Sequence, residues 1–423
     1  MQVTPPLSTG RAHEIAASFD LRALPPDFHA NPYPVYAALR EQAPVHRLPD
    51  GAWFLTRHAD LLAVYRDAHG FSSDKKVEFT PKYGPGSPLL AHHTTSLVFN
   101  DPPLHTRVRK LIMGALTRRA IADMEPGLIL LVETLMDGIE ARGGGDLIED
   151  FAAAIPVEII GNLLAVPRDE RGPLRGWSLA ILGALEPRLT PQQEALGNRS
   201  VTEFLDYLRL LVADRRRNPG DAEHDVLTRL IRGESTGEQL SEAELLHNCI
   251  FILNAGHETT TNLIGNALVA LQEWPQQKDA LLRAIGRQPD WDALEPRMTL
   301  AVDEFLRFES SNQLGNRRAL KACEVGGVAL PEGALVTLCI GAANRDPAQF
   351  AQPDVLDLAR EDNRHLAFGF GIHQCAGMSL ARLEGRVAVG RFLARFPQYR
   401  LTEMPTRGGR ARFRGFLKAP FAL

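Results

Sequence analysis

The sequence predicts a mostly α chain with small β-sheets, an α+β fold built as a single large domain. Three observations carry that reading. Apolar residues recur at helical spacing over most of the chain, and the longest such run spans 241–274. Short extended runs around tight turns gather near 45–55 and 325–338. No Pro/Ser/Gly-rich linker, charge run or internal repeat divides the 423 residues. Residues 1–30 read as a polar, proline-rich lead-in, and 31–423 as the domain itself. A net charge of -4 gives no support for nucleic acid as a partner. Cys249, Cys323, Cys339 and Cys375 lie far apart, which fits a reducing compartment without a disulfide framework or zinc site. Pro5, Pro6, Arg11, Glu14 and Asp20 lead to the expectation of a cytoplasmic chain with neither signal peptide nor membrane anchor.

Taken in order, 34–42 predicts a short helix. Runs 45–48 and 53–55 flank Pro49-Asp50-Gly51, good chemistry for a hairpin turn. A helix follows at 59–66. From 70 to 96, Pro81, Pro85 and Pro88 interleave with Gly84 and Gly86, which reads as a long loop of the kind that forms a binding lid. Pro102 and Pro103 then open a helix carrying His105 and Arg109 on one face. Taken alone, that pair reads as a solvated basic face. Helical patterns follow at 121–141, 151–164, 170–184 and 191–217, and Gly143-Gly144-Gly145 reads as a turn. The break at 182–190, near Pro187, would supply the other half of the lid.

Ser241 and Glu244 form a capping box for the longest helix, and Pro275 stops it, giving a rod of roughly 50 Å. Its middle, Ala255-Gly256-His257-Glu258-Thr259-Thr260-Thr261, is a poor helix interior in which hydroxyls can bond back to carbonyls and bend the rod. Glu304 and Arg307 stand at i, i+3 on a later helix. Runs 325–328 and 334–338 read as strands around Pro331-Glu332-Gly333. A last helix, 376–396, buries Leu380, Leu383, Val387, Phe392 and Leu393 behind a glycine-punctuated loop that ends at Cys375. A thiol at a helix N-terminus meets unpaired N–H groups, so the thiolate is favoured there. The competing reading is a buried cysteine acting as a small hydrophobe.

Phe368, Gly371, Cys375 and Gly377 stand at the spacing Phe-x-x-Gly-x-x-x-Cys-x-Gly. That stretch resembles the haem-thiolate loop of the cytochrome P-450 superfamily, in its soluble bacterial, ferredoxin-dependent branch. The resemblance implies the cytochrome P-450 fold, with Cys375 as axial iron ligand and haem b (iron protoporphyrin IX) as cofactor. Thiolate ligation favours O–O cleavage. It further implies that His105, Arg109, Arg317 and His373 hold haem propionates, Arg318 being the alternative to Arg317. Ala255 and Gly256 match the family's positions that leave room for dioxygen. Thr259 would hydrogen-bond to the oxygen being activated, and Glu258 would relay protons through water. His257 stays unassigned. Glu304 and Arg307, completed by Arg360, match a structural ion pair, which acts as a folding requirement when buried.

The expected activity is that of an oxidoreductase, a monooxygenase that inserts one atom of O2 into a small organic substrate and reduces the other to water. Electrons would come from a ferredoxin and its NAD(P)H-dependent reductase, docking near Cys375; Lys110, Arg118 and Arg119 read either as its basic docking face or as a merely solvated one. Ile252, Asn312 and Gln313 are the expected substrate-pocket residues. The chain departs from the family pattern at Ala376, where a larger aliphatic is commoner. It departs again at Ser311 and Asn312, which replace a proline and an apolar residue. Two readings of the Asn312 and Gln313 amides stand open: recognition of a polar group on the substrate, or bonding to nearby backbone and water. Two rival functions are a peroxide-driven enzyme, against which Glu258 and Thr259 together argue, and a non-catalytic haem sensor or carrier.

Overall fold

The computed structural model describes residues 7–220, 226–232 and 240–423, so Pro5 and Pro6 lie outside the described residues. Its centre is the helix Glu242–Glu273. The capping box forms as the sequence predicts: Ser241 Oγ accepts from the Glu244 N–H at 3.2 Å, and Glu244 Oε2 accepts from the Ser241 N–H at 2.8 Å. Trp274 ends the helix, and Pro275 starts the next one, Pro275–Ile285. Apolar residues fall on every side (Leu246, Cys249, Ile250, Leu253, Leu263, Leu271), so the helix is buried nearly all round. Glycines let neighbours come close. A Cβ on Gly265 would lie 2.5 Å from Ile148.

Helices gather around this rod. Arg118–Arg142 and Met378–Arg395 pack together on one side, and Trp291–Phe308 closes against Met378–Arg395. On the other side lie Ala154–Leu163, Leu174–Gly183 and Pro191–Arg217. A π-type turn, Leu147–Ala152, precedes the first of these, where the sequence predicts one helix over 151–164. Among the described residues no helix is long and apolar enough to cross a membrane.

The largest sheet orders its strands Val45–Arg47, Trp53–Leu55, Leu335–Cys339, Leu314–Ala319, Phe71–Ser72. Trp53–Leu55 runs parallel to Leu335–Cys339, and the other pairings are antiparallel. Two expectations need correcting. Residues 325–328 are a hairpin rather than a strand: Cys323–Val325 pairs with Val328–Leu330 around Gly326 and Gly327, both at positive φ. The region 70–96 is not a loop. It holds the helices Lys76–Tyr83 and Pro88–Thr95, because Pro88 sits at a helix start, with Ser87 Oγ accepting from the Leu90 N–H, rather than breaking one. Within the lead-in, the described residues form helices. Helix Thr9–Ser18, capped by Ser8, sets Ala12 and Ala16 against helix Tyr33–Gln42.

Glu304 ties the helices to the segment before the cysteine loop. Its carboxylate accepts from Arg307 at 2.7 and 2.8 Å, from Arg360 and Asn363 at 3.1 Å each, and from the Asp357 N–H at 2.8 Å. Arg307 also donates to the carbonyls of Asn344, Pro353 and Val355. Both side chains are fully buried. The predicted trio is assembled with Glu304 as its hub.

Candidate active site

The loop before Met378–Arg395 is shaped by glycine. Gly369 and Gly371 take φ of 64° and 73°. A Cβ on Gly371 would lie 2.3 Å from the Tyr65 carbonyl oxygen, so only glycine fits that turn. The Cys375 N–H closes the loop on the Phe368 carbonyl at 2.8 Å, and Gly377 caps the helix behind it. Cys375 is exposed, yet enough protein surrounds the thiol that burial raises its pKa. The Gly377 N–H, Arg109 and Arg382 oppose that rise without cancelling it. A bound metal cation reverses that balance.

Basic groups from separate elements converge beside the thiol. His105 and Arg109 lie one turn apart on helix Leu104–Ala115, and the His105 ring is 4.1 Å from that of His373. Arg317, on strand Leu314–Ala319, stands over the Tyr65 ring at 5.3 Å. Its neighbour Arg318 is already paired, to Glu78 at 2.7 Å and to the Gly333 carbonyl. Burial pushes His373 down to about 2, and Arg317, His105, Arg109 and Lys75 push it further the same way. His373 Nε2 is buried without a hydrogen-bond partner, as is Lys75 Nζ. Arg109 and Cys375 lie near enough to act on each other electrostatically, and Arg317 and His373 line one small cavity with Tyr65 and Asp101. Such a surplus of unmatched donors fits an anionic ligand. Among the described residues no three His, Cys, Asp or Glu side chains converge on a metal, so Cys375 could hold one only where other ligands come from outside the protein. The carboxylates and iron of a haem meet both requirements.

The central helix carries an open stripe at mid-length. Ala255 is exposed, and Ile252, Gly256 and Thr259 are half-buried, while Leu253, Asn254, His257, Glu258 and Thr260 are buried. Thr259 Oγ1 donates to the Ala255 carbonyl at 2.7 Å. The space beside Gly256 is not open, since a Cβ there would meet Ile160 Cδ1 at 2.5 Å. That glycine serves the approach of helix Ala154–Leu163. Glu258 points elsewhere. Its carboxylate pairs with Arg410 at 2.5 Å, in a small cavity lined also by Arg175, His257, Thr261 and Asn262 but not by Thr259. Burial raises the Glu258 pKa to about 7, against the pull of Arg410.

A family model described as Cytochrome P450 matches residues 184–409. The chain belongs to the cytochrome P450 family. It is 37% identical to Cytochrome P450 107B1 of Saccharopolyspora erythraea, over 91% of this chain and 93% of that one. It is 35% identical to the epothilone C/D epoxidase of Sorangium cellulosum, over 95% and 94%. The crystal structure of P450BioI in complex with an acyl carrier protein carrying hexadec-9Z-enoic acid superposes with a TM-score of 0.85 at 31% identity, covering 94% and 99%. As a P450, the chain is a haem-thiolate monooxygenase, an oxidoreductase acting on substrate and O2 with redox partners.

In this P450 the two segments expected to form a lid meet. Tyr83 Oη donates to the Ala184 carbonyl and Lys82 Nζ to that of Glu186, both at 2.7 Å. The Glu186 carboxylate in turn accepts from the Ala411 N–H at 2.8 Å. The two pocket amides do not act as a pair. Gln313 turns away from the open stripe: Nε2 donates to the Ser310 carbonyl at 2.7 Å, and the side chain fills the space beside Gly341. Asn312 is half-buried, forms a bridge with Phe413 and accepts weakly from the Leu314 N–H at 3.4 Å. Sequence reasoning missed Lys75 and Arg410. Lys75 was hidden in a stretch read as loop, and Arg410 in an Arg-Gly-rich tail that no motif marks.

Proposed function

We propose that Cys375 ligates the iron of haem b, while His105, Arg109, Arg317 and His373 neutralise its propionates and Phe368 and Gly377 flank the thiolate. The observation that carries this reading is the basic cluster beside the cysteine loop, where the His105 and His373 rings lie 4.1 Å apart with buried nitrogens that have no hydrogen-bond partner. Bound haem supplies the chemistry of O2 cleavage, one atom going to the substrate and one to water. The remaining work belongs to the chain. Ala255 and Thr259 present a small, polar face to that chemistry. Thr259 Oγ1 can exchange its bond to the Ala255 carbonyl for one to reacting oxygen or water. Glu258 collects a proton in the cavity with Arg175, His257 and Asn262 and passes it to the Thr259 side once its pair with Arg410 opens. The joint presence of Thr259 and Glu258 favours O2 over peroxide as the oxidant.

Electrons arrive from a ferredoxin with an NAD(P)H-dependent reductase. Exposed Lys110, Arg118 and Arg119 near the helix bearing Arg109 suit an acidic carrier, and a cytoplasmic setting supplies both proteins. Relatives bear names as different as an epothilone epoxidase and a vitamin D(3) 25-hydroxylase, so the substrate here is a small organic molecule of open identity. Ile252 and Asn312, both half-buried, are the residues we assign to its pocket.

Thr259→Ala is expected to keep consuming NAD(P)H while yielding hydrogen peroxide in place of much of the oxidised product. Stoichiometry of NAD(P)H, peroxide and product measures this. Coupling equal to wild type would remove Thr259 from proton delivery.

A further inference from the structure

Lys75 immediately precedes the lid helix Lys76–Tyr83, and the Phe79 N–H donates to its carbonyl. The adjacent Lys76 is exposed and pairs with Asp74 at 3.1 Å, as surface lysines do. Lys75 differs in every respect. It is 3% exposed, and its ammonium has no hydrogen-bond partner. Of the acids near it, Glu78 forms an ion pair with Arg318 at 2.7 Å although neither of its oxygens accepts a hydrogen bond, and Asp101 accepts from the Ser72 hydroxyl and the Ser73 N–H. What faces it otherwise is positive, Arg317 and Arg318, and it acts in turn on His373. Glu78 and Asp101 offset part of that repulsion, yet a buried ammonium that makes no hydrogen bond is costly, and an anion from outside relieves it. Burial, with help from Arg317 and Arg318, drops its pKa to about 7, which marks how unmet that charge is.

We infer that Lys75 is a further haem-carboxylate partner, the one contributed by the lid, and that cofactor loading orders helix Lys76–Tyr83 through it. The inference rests on the reading of the basic cluster beside the cysteine loop as the haem site. His105 and Arg109 belong to one helix, Arg317 to the sheet and His373 to the cysteine loop, all parts of the frame. Lys75 belongs to the segment that meets the other lid half through Lys82 and Tyr83. A carboxylate held by Lys75 therefore fixes the root of the lid.

The test compares the full chain with and without haem, as wild type, Lys75→Met and Lys75→Arg. Without haem, Lys75→Met should melt higher than wild type, because an unpaired buried charge is gone. With haem, it should release the cofactor to an excess of apomyoglobin about tenfold faster or more. Lys75→Arg should release it at a rate between the two. Hydrogen exchange over 76–83 should slow on haem loading in wild type and much less in Lys75→Met. A Lys75→Met chain that melts lower both with and without haem, and keeps the wild-type release rate, would overturn the inference and leave Lys75 a packing residue. Failure of the wild-type chain to take up haem at all would overturn the reading of the cluster itself.

Discussion

Glu304→Ala is expected to yield little or no folded protein. The carboxylate gathers bonds from Arg307, Arg360, Asn363 and the Asp357 N–H at a point with no access to water. Removing it leaves Arg307 buried with only the neutral carbonyls of Asn344, Pro353 and Val355. Breaking a buried pair from one side costs about 3–5 kcal/mol, against a total stability of about 5–15 kcal/mol for an ordinary domain. Soluble yield and the urea midpoint would show the loss. Arg360→Ala, which removes a partner already 10% exposed, should cost clearly less. A Glu304→Ala midpoint within error of wild type would mean that the hub does not hold the segment preceding the cysteine loop.

Glu258→Gln should slow substrate oxidation by about 100-fold or more, the low end of what a positioned proton donor contributes. The pH profile separates this from a packing effect. Because burial lifts the Glu258 pKa to about 7, the carboxyl can donate below that pH and is held as a carboxylate on Arg410 above it. Wild-type turnover should fall as pH rises through about 7, and the Glu258→Gln profile should be low and flat across the same window. The folding contribution has the same sign. A raised carboxyl pKa adds stability that is complete below the unfolded value and is lost as pH rises through about 7. A Glu258→Gln variant with the wild-type rate and profile would take Glu258 out of the proton path.

What could be read from the sequence was mostly local. The central helix announced itself through its capping box and Pro275, because the groups that set its ends lie within a few residues of one another. The cysteine loop was legible for a related reason: its turns need positive φ, and Gly369 and Gly371 provide it within one contiguous stretch. Distant pairings left no such mark. Glu258 and Arg410 are 152 residues apart, and nothing near either one names the other. The lid helices were hidden because proline and glycine density signals a loop, whereas here Gly84 ends one helix and Pro88 starts the next. Gln313 shows the limit for polar side chains. Its position beside the expected pocket residue was readable, but its direction depends on the gap that Gly341 leaves for it. Gly256 carries the same lesson, since the room beside it belongs to Ile160.

The central claim is that Cys375 is the protein's ligand to haem iron. The most direct measurement is the carbon monoxide spectrum of the dithionite-reduced protein, taken on wild type and on Cys375→Ala reconstituted in parallel. The wild-type carbonyl complex should show the red-shifted Soret band that thiolate ligation produces, and Cys375→Ala should lack it while its melting curve without haem stays close to wild type. Survival of the red-shifted band in Cys375→Ala, or its absence from wild-type protein that has taken up haem, would contradict the assignment.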